Sequence, residues 1–553
     1  MVSRFAILLL LLCQACSAQS VPSTSEAQQV PALRVCVKDE LSAHAPSREE
    51  IKAHRQFDAP VITRPFGAKR DNWELGVLIK VDEKGHPACY YVEKDEFRRE
   101  QALDDERRDV LSRVASWHYA PFIVDGRPVV SLVKESIREQ IAPERHLPLP
   151  NVPMSQVAIT LERTGCYGTC PAYWVTLYGD GRAVYEGRGY VDVLGRHEYR
   201  VDPARIAALV ESARGKDIWS MANEYRYPVT DNPTYFMRLK FGDQGKEIED
   251  YVGGSAGMPE VISEFEDEID RAAESNAWIN LGMPAVERLS EESFPFVSKE
   301  GEELLGRAIS NSDGHDDAAI LKLMSLGAMK SASTVLPGRF GGTGKSLLES
   351  ALGNRRQQVV EHLIELGALQ TNDRVDQSKL DAAFRAAIGA GSLQGVETIW
   401  SAGGDSKPSL TFDDKSEDDK GKNQRSSVIL LLSHPYGQEP WEGQAIAEWL
   451  VAKGCDLKAR AADGDTLLHR ATDAGDLPFV RYLLANGLDA STPGTYGLPA
   501  LGSAENEDIA LVLLQAGSDW KMDDGGKGFL QYANDQHWGR VLAWVRAHGG
   551  KNP

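Results

Sequence analysis

Asp463-Gly464-Asp465-Thr466-Leu467-Leu468-His469-Arg470-Ala471 decides the reading of the C-terminal half of this 553-residue chain. Asp-Gly-Asp is turn chemistry, Thr466 begins a first helix, and His469 is placed to bridge backbone across the turn. Gly475 falls between this helix and a second one. Leu468, Ala471, Val480, Leu483 and Leu484 then fall at helical spacing and form one apolar face. Gly487, just before Asp489, supplies the left-handed residue that ends the second helix. Two such short helices cannot bury that face alone, so the unit must stack on copies of itself.

Outward from this unit the copies appear. Short apolar clusters closed by a glycine turn recur at Gly327, Gly367, Gly403, Gly454, Gly487, Gly517 and Gly549, with gaps of 40, 36, 51, 33, 30 and 32 residues. The stretch 463–471 resembles the Gly-x-Thr-Pro-Leu-His-x-Ala signature of ankyrin repeats, with Leu467 in place of the proline. The gaps lie close to the ankyrin period of about 33. Asp413 to Arg425, within a polar insert at 406–425, accounts for the long gap as a solvated loop. Lys345-Ser346-Leu347-Leu348-Glu349-Ser350-Ala351, with Val359, Leu363, Gly367 and Ala368, is a weaker unit. The resemblance implies about seven repeats over 299–550, binding a protein partner at exposed tips; Trp441, Tyr496 and Trp520 are the aromatic candidates, with a core position as the alternative for Trp520.

The N-terminus reads as a targeting segment. Arg4 precedes the apolar run Phe5 to Leu12, and Cys16-Ser17-Ala18 offers small residues for cleavage, giving a signal peptide at 1–18 and a flexible leader at 19–31. The run is shorter than the roughly 20 residues of a membrane span. Leu12-Cys13-Gln14-Ala15-Cys16 also resembles a bacterial lipobox, which would make Cys16 a lipidated N-terminus. Either way the chain is expected outside the cytosol, in the periplasm, on the envelope or secreted. A formal charge of -20 argues against duplex DNA and anionic membrane as partners, since both need basic patches.

Two regions separate the leader from the repeats, divided by the Pro-rich stretch Leu147 to Pro153. In 32–146, Gly76 to Asp82 and Cys89 to Val92 read as a hairpin, Ala102 to Trp117 as an amphipathic helix and Val129 to Ile137 as a further strand. Gly76-x-x-x-x-Val81-Asp82-x-x-Gly85, Trp117-x-Tyr119-x-Pro121 and Val124-Asp125-Gly126-Arg127-Pro128-Val129 resemble the C-terminal domain of TonB. That family implies a small sheet on a helix whose edge can take an added strand. In 155–279, strands at 157–161, 173–178, 183–185, 236–241 and 247–252 are joined by helices near 203–213 and 259–273. Cys166-Tyr167-Gly168-Thr169-Cys170-Pro171-Ala172-Tyr173, with Asp231, Pro233, Thr234 and Tyr235, resembles an uncharacterised bacterial exported domain with a Cys-x-Gly-x-Cys-Pro-x-Tyr motif. The whole reads as a multidomain chain of two small α+β domains followed by an all-α ankyrin-type solenoid.

Candidate chemistry is thin. Gly341-Gly342-Thr343-Gly344-Lys345-Ser346 suggests a phosphate loop, but the glycine such a loop needs five residues before Gly344 is Arg339. Gly253-Gly254-Ser255-Ala256-Gly257 fits a nucleophile elbow, yet no histidine follows before His315. Cys166 and Cys170 are candidates for a short-loop disulfide, with metal or redox roles as alternatives. Cys36 and Cys89 are a second candidate pair, and Cys455 is left over. His197, Asp231 and Asp250 suit turns and caps better than a catalytic cleft. No catalytic, cofactor or metal site is therefore expected, and the function expected is partner binding. The alternative is an enzyme or thiol-redox protein built on 155–279.

Overall fold

The computed structural model describes residues 33–37, 41, 43–57, 61–66, 74–95, 104–124, 126–314, 316–336, 344–414, 424–433, 441–521, 527–536 and 538–549. The signal peptide at 1–18 with Cys16, the leader at 19–31, Arg339, Gly341 to Thr343 and His315 lie outside them. The contacts divide the chain into two compact units.

The first unit takes Met1–His146, Ser220–Tyr227 and Val252–Glu260. Its strands are β1 (Val61–Arg64), β2 (Glu74–Val81), β3 (Pro87–Asp95), β4 (Ile123–Val124), β5 (Arg127–Pro128) and β6 (Ser131–Ile141). Four of them lie in the order β1-β6-β2-β3. Leu75, Val77, Ile79 and Val81 alternate along β2 and are wholly buried, as one face of a pleated strand requires. They share a core with Val110, Val114 and Trp117, from the helix Asp104–Arg113 and the turn that ends it.

The edges of β3 and β6 carry the chain's own segments. β1 lies parallel on the C-terminal half of β6, and His44 bridges its other end, where Leu132 N donates to His44 O at 2.7 Å. On β3, Cys36 N donates to Tyr90 O at 2.7 Å and Tyr90 N to Arg34 O at 3.2 Å. A disulfide between Cys36 and Cys89 fastens this segment. The edge groups of Tyr90 on β3 and Leu132 on β6 are thus satisfied from within the chain.

The second unit takes Leu147–Trp219, Pro228–Tyr251 and Val261–Pro553. It holds β7 (Val157–Arg163), β8 (Ala172–Tyr178), β9 (Arg182–Gly189) and β10 (Gly195–Arg200); β11 (Glu224–Arg226) falls in the first unit. β12 (Tyr235–Phe241) and β13 (Gln244–Tyr251) complete it. The order within the unit is β10-β9-β8-β7-β12-β13 and every pairing is antiparallel. Alternate residues such as Ile159, Leu161, Val175 and Leu177 are wholly buried. The helix Glu260–Ala273 packs on that face, its Asp270 and Ala273 accepting from Tyr173 and Tyr199 of the sheet.

Two linking helices, Ser275–Ile279 and Met283–Glu291, lead into helix pairs. These are 299–310 with 317–323, 347–353 with 357–365, 377–389 with 393–402, 428–431 with 443–452, 467–473 with 477–485, 500–503 with 507–515, and 527–535 with 539–547. In the fourth and sixth, the first helix is a single tight turn, Val428–Leu431 and Ala500–Ser503.

The glycine turns differ in detail: Gly403 has φ -66°, and Gly404 at 59° takes the left-handed position, because the helix Leu393–Ala402 continues through the Gly403 N–H to Ile399 O. Gly403 is needed for space instead, since a Cβ there would lie 2.2 Å from Ser406 O. The insert is not only loop: Thr411–Asp414 pairs with Gln424–Ser427 as a hairpin, with Thr411 and Phe412 supplying strand-forming side chains. Leu484 is only half-buried, whereas Leu468, Ala471, Val480 and Leu483 are buried.

Candidate binding surface

The turn tips of the last pairs are built by one repeated device. Asp456, Asp489 and Asp519, each two residues after a left-handed glycine, accept from the backbone N–H two residues on: Lys458 at 2.9 Å, Ser491 at 2.8 Å and Lys521 at 2.9 Å. A carboxylate that closes its own turn holds the tip without help from a distant partner. Asp463 does the same for Asp465 N at 2.9 Å, with Gly464 left-handed at 93°.

Successive tips are then tied together. Asp465 Oδ1 accepts Thr495 N at 2.8 Å, and Arg460 donates to Gly464 O and to Pro493 O. His469 is buried, and its Nδ1 takes the Thr466 N–H at 3.2 Å. That bond leaves Nε2 as the protonated nitrogen, which donates to Leu498 O at 3.3 Å in the next unit. Lys458, Arg460, Asp463, Asp489, Pro493 and Lys521 are exposed on this edge.

The sheet of the second unit presents a second fixed tip. Cys166 and Cys170 are joined in a disulfide with Cα atoms 5.6 Å apart. Between them Tyr167 is 91% exposed. Tyr167 N donates to Asp231 O at 3.2 Å, and Thr234 N to Thr164 Oγ1 at 2.8 Å, so the two motif stretches lie side by side. Tyr173 and Tyr235 of these stretches converge on one half-buried ion pair. Arg163 meets Asp270 at 2.8 Å, Tyr173 Oη donates to Asp270 at 2.7 Å, and the guanidinium lies 4.2 Å over the Tyr235 ring. Burial is the largest influence and opposes the Arg163 charge, but Asp270, Tyr173, Glu266 and Tyr235 together hold its pKa above the ordinary arginine value. Glu266 lies nearby with 2% exposure and its Oε1 unpartnered; burial, then Asp250, pushes its carboxyl up to about 8.

A family model described as ankyrin repeats (3 copies) matches residues 441–524. Residues 441–524 carry ankyrin repeats. A second family model, described as a domain of unknown function (DUF6438), matches residues 157–273. No curated protein matches the chain. Among solved structures, the crystal structure of the human ASB11 ankyrin repeat domain is similar. Identity is 18%, over 39% of this chain and 85% of that one, with a TM-score of 0.27.

The other sequence candidates fall as follows. Trp441 is not a free tip: it is half-buried, against Gly391 and 5.4 Å from the Phe479 ring. Trp520 is buried, and the Tyr496 side chain lies outside the described residues. Gly253–Ala256 is a tight turn between left-handed Val252 and Gly257, and a Cβ on Gly257 would meet Ile141 at 2.8 Å. Ser346 caps the helix Leu347–Gly353 in a capping box with Glu349. His197 on β10 and Asp250 on β13 are five strand steps apart, roughly 24 Å at the usual strand spacing. His197 instead meets Glu292 at 2.8 Å and stacks on Trp278. Sequence reasoning missed Glu266, and Arg163 and Asp270, which are 107 residues apart. Among the described residues no helix is long and apolar enough to cross a membrane.

Proposed function

We propose that this is an exported, non-enzymatic binding protein of a bacterial cell envelope, which engages a protein partner through the tips of its repeats. The carrying observation is the run of self-closed tips at Asp456, Asp489 and Asp519, rigid before any partner arrives. Little ordering entropy is then lost on binding. All the helix pairs from 299 to 547 form the binding array. Residues 32–146, a TonB C-terminal-like domain, and the DUF6438 region attach that array within the envelope. The two disulfides support an oxidising compartment. Cys16 is the residue lipidated if the leader is processed as a lipoprotein.

The test is cross-linked capture from an envelope fraction with intact protein and an Arg460→Glu, Asp463→Lys variant. A specific partner lost by the variant, with unchanged melting, supports the reading. Capture of the same proteins by both, or of none, sinks it. A hydrolytic or thiol-exchange activity removed by Cys166→Ser, Asp231→Asn or Ser255→Ala would instead favour an enzyme.

A further inference from the structure

An array of stacked helix pairs has two ends, and each end leaves an apolar face that no further pair covers. Here the first pair is sealed. Leu304, Leu305, Ile309, Ile320 and Leu323 are at most 2% exposed. Helix Met283–Glu291 packs on helix Asp317–Leu323, and its Ala285, Val286 and Leu289 are wholly buried. Met283 N donates to Asp316 Oδ2 at 2.9 Å, joining the two helix starts.

The cover continues into the sheet without a break. Trp278, wholly buried, is ringed by Tyr185, His197 and Tyr199 at 5.4, 4.9 and 5.3 Å between centroids. The tip of the β9–β10 hairpin is fixed to the linking helices: Asp192 N donates to Ile279 O and Val193 N to Trp278 O. Asp192 itself is 4% exposed. Its carboxylate accepts Asn311 Nδ2 at 3.2 Å and its carbonyl accepts Arg307 Nε at 2.8 Å, both from the first pair. Arg356 of the second pair donates to Asn311 O at 2.6 Å. Glu292, at the end of helix Met283–Glu291, accepts from His197 Nδ1 and Glu198 N.

We propose that the sheet domain serves as the N-terminal cap of the helix-pair array, sealed around Trp278 and Asp192. A cap has to supply an apolar inner face, a satisfied polar rim and a solvated outer face. The sheet does so with Trp278 inside, Asp192 and Glu292 at the rim, and charged strand residues such as Arg188 and Arg238 outside. The inference gives the region of unknown function a task that needs no catalysis. It does not depend on what the tips bind.

The experiment is hydrogen exchange on the full chain. In Asp192→Asn combined with Asn311→Ala, amides of 299–323 should exchange about tenfold faster, as loss of one or two buried hydrogen bonds implies. Pair 527–547 should stay near wild type. A second measurement uses wild type in rising sub-denaturing urea: β9, β10 and helices 299–323 should lose protection at one common concentration. Unchanged exchange at 299–323, or loss of the sheet while 299–323 stays protected, would overturn the proposal.

Discussion

Glu266 lies on the helix Glu260–Ala273 with 2% exposure, beside Asp250 and near Arg163. Burial is the largest influence on it, Asp250 adds to it and Arg163 opposes, so the carboxyl titrates near 8 and is protonated at neutral pH. The folded pKa is above the unfolded one, so its contribution is full below the ordinary carboxylate value and is lost as pH rises through about 8. Glu266→Gln should flatten the stability profile between about pH 5 and 9 and gain a few kcal/mol at the alkaline end, read from urea melts across pH. An unaltered profile would show that the site relaxes on ionisation. None of this is legible in the sequence, where Glu266 is one acid among several on a polar helix. Thr466 and His469 were legible because their interaction spans three residues and follows from helix geometry alone.

At the scale of elements, the repeat pattern was visible in its glycines, and the exceptions have local causes. The turn between paired helices is left-handed at Gly391 (65°) and Gly475 (73°), and Arg355 takes it at 54°. Gly475→Ala should cost about 1–2 kcal/mol through backbone strain alone, since nothing lies within 4 Å of the new Cβ. Gly391→Ala should cost more, because that Cβ would sit 2.6 Å from the Trp441 ring. Denaturant midpoints of the two variants decide it, and equal losses would contradict the contact. The shortened helices Val428–Leu431 and Ala500–Ser503 were not legible. Both sequences are apolar enough for a helix, and the Leu498-Pro499 step delays the second by disfavouring helical backbone before proline.

For the whole molecule, the two units depend differently on their cysteines. Cys36–Cys89 closes a separation of 53 residues in the first unit, and Cys166–Cys170 one of 4 in the second. Chain entropy assigns about 4 kcal/mol to the former and about 2 to the latter. Cys36→Ser with Cys89→Ser should therefore destabilise the first unit by several kcal/mol and open the β3 edge to self-association. The ankyrin pair at 467–485 should keep its exchange protection. Loss of protection in both units would refute this independence. The ankyrin repeats of 441–524 were legible from their periodicity. How the sheet joins the first helix pair was not, because Asp192 and Asn311 are over a hundred residues apart. The bonded cysteines also bear on biogenesis. Each is joined to the next cysteine in the described chain, 36 to 89 and 166 to 170, and Cys455 comes last and unpaired. Where cleavage after residue 18 has removed Cys13 and Cys16, a polypeptide oxidised as it emerges N-terminus first would meet each correct mate before any wrong one, and should mature without a disulfide isomerase.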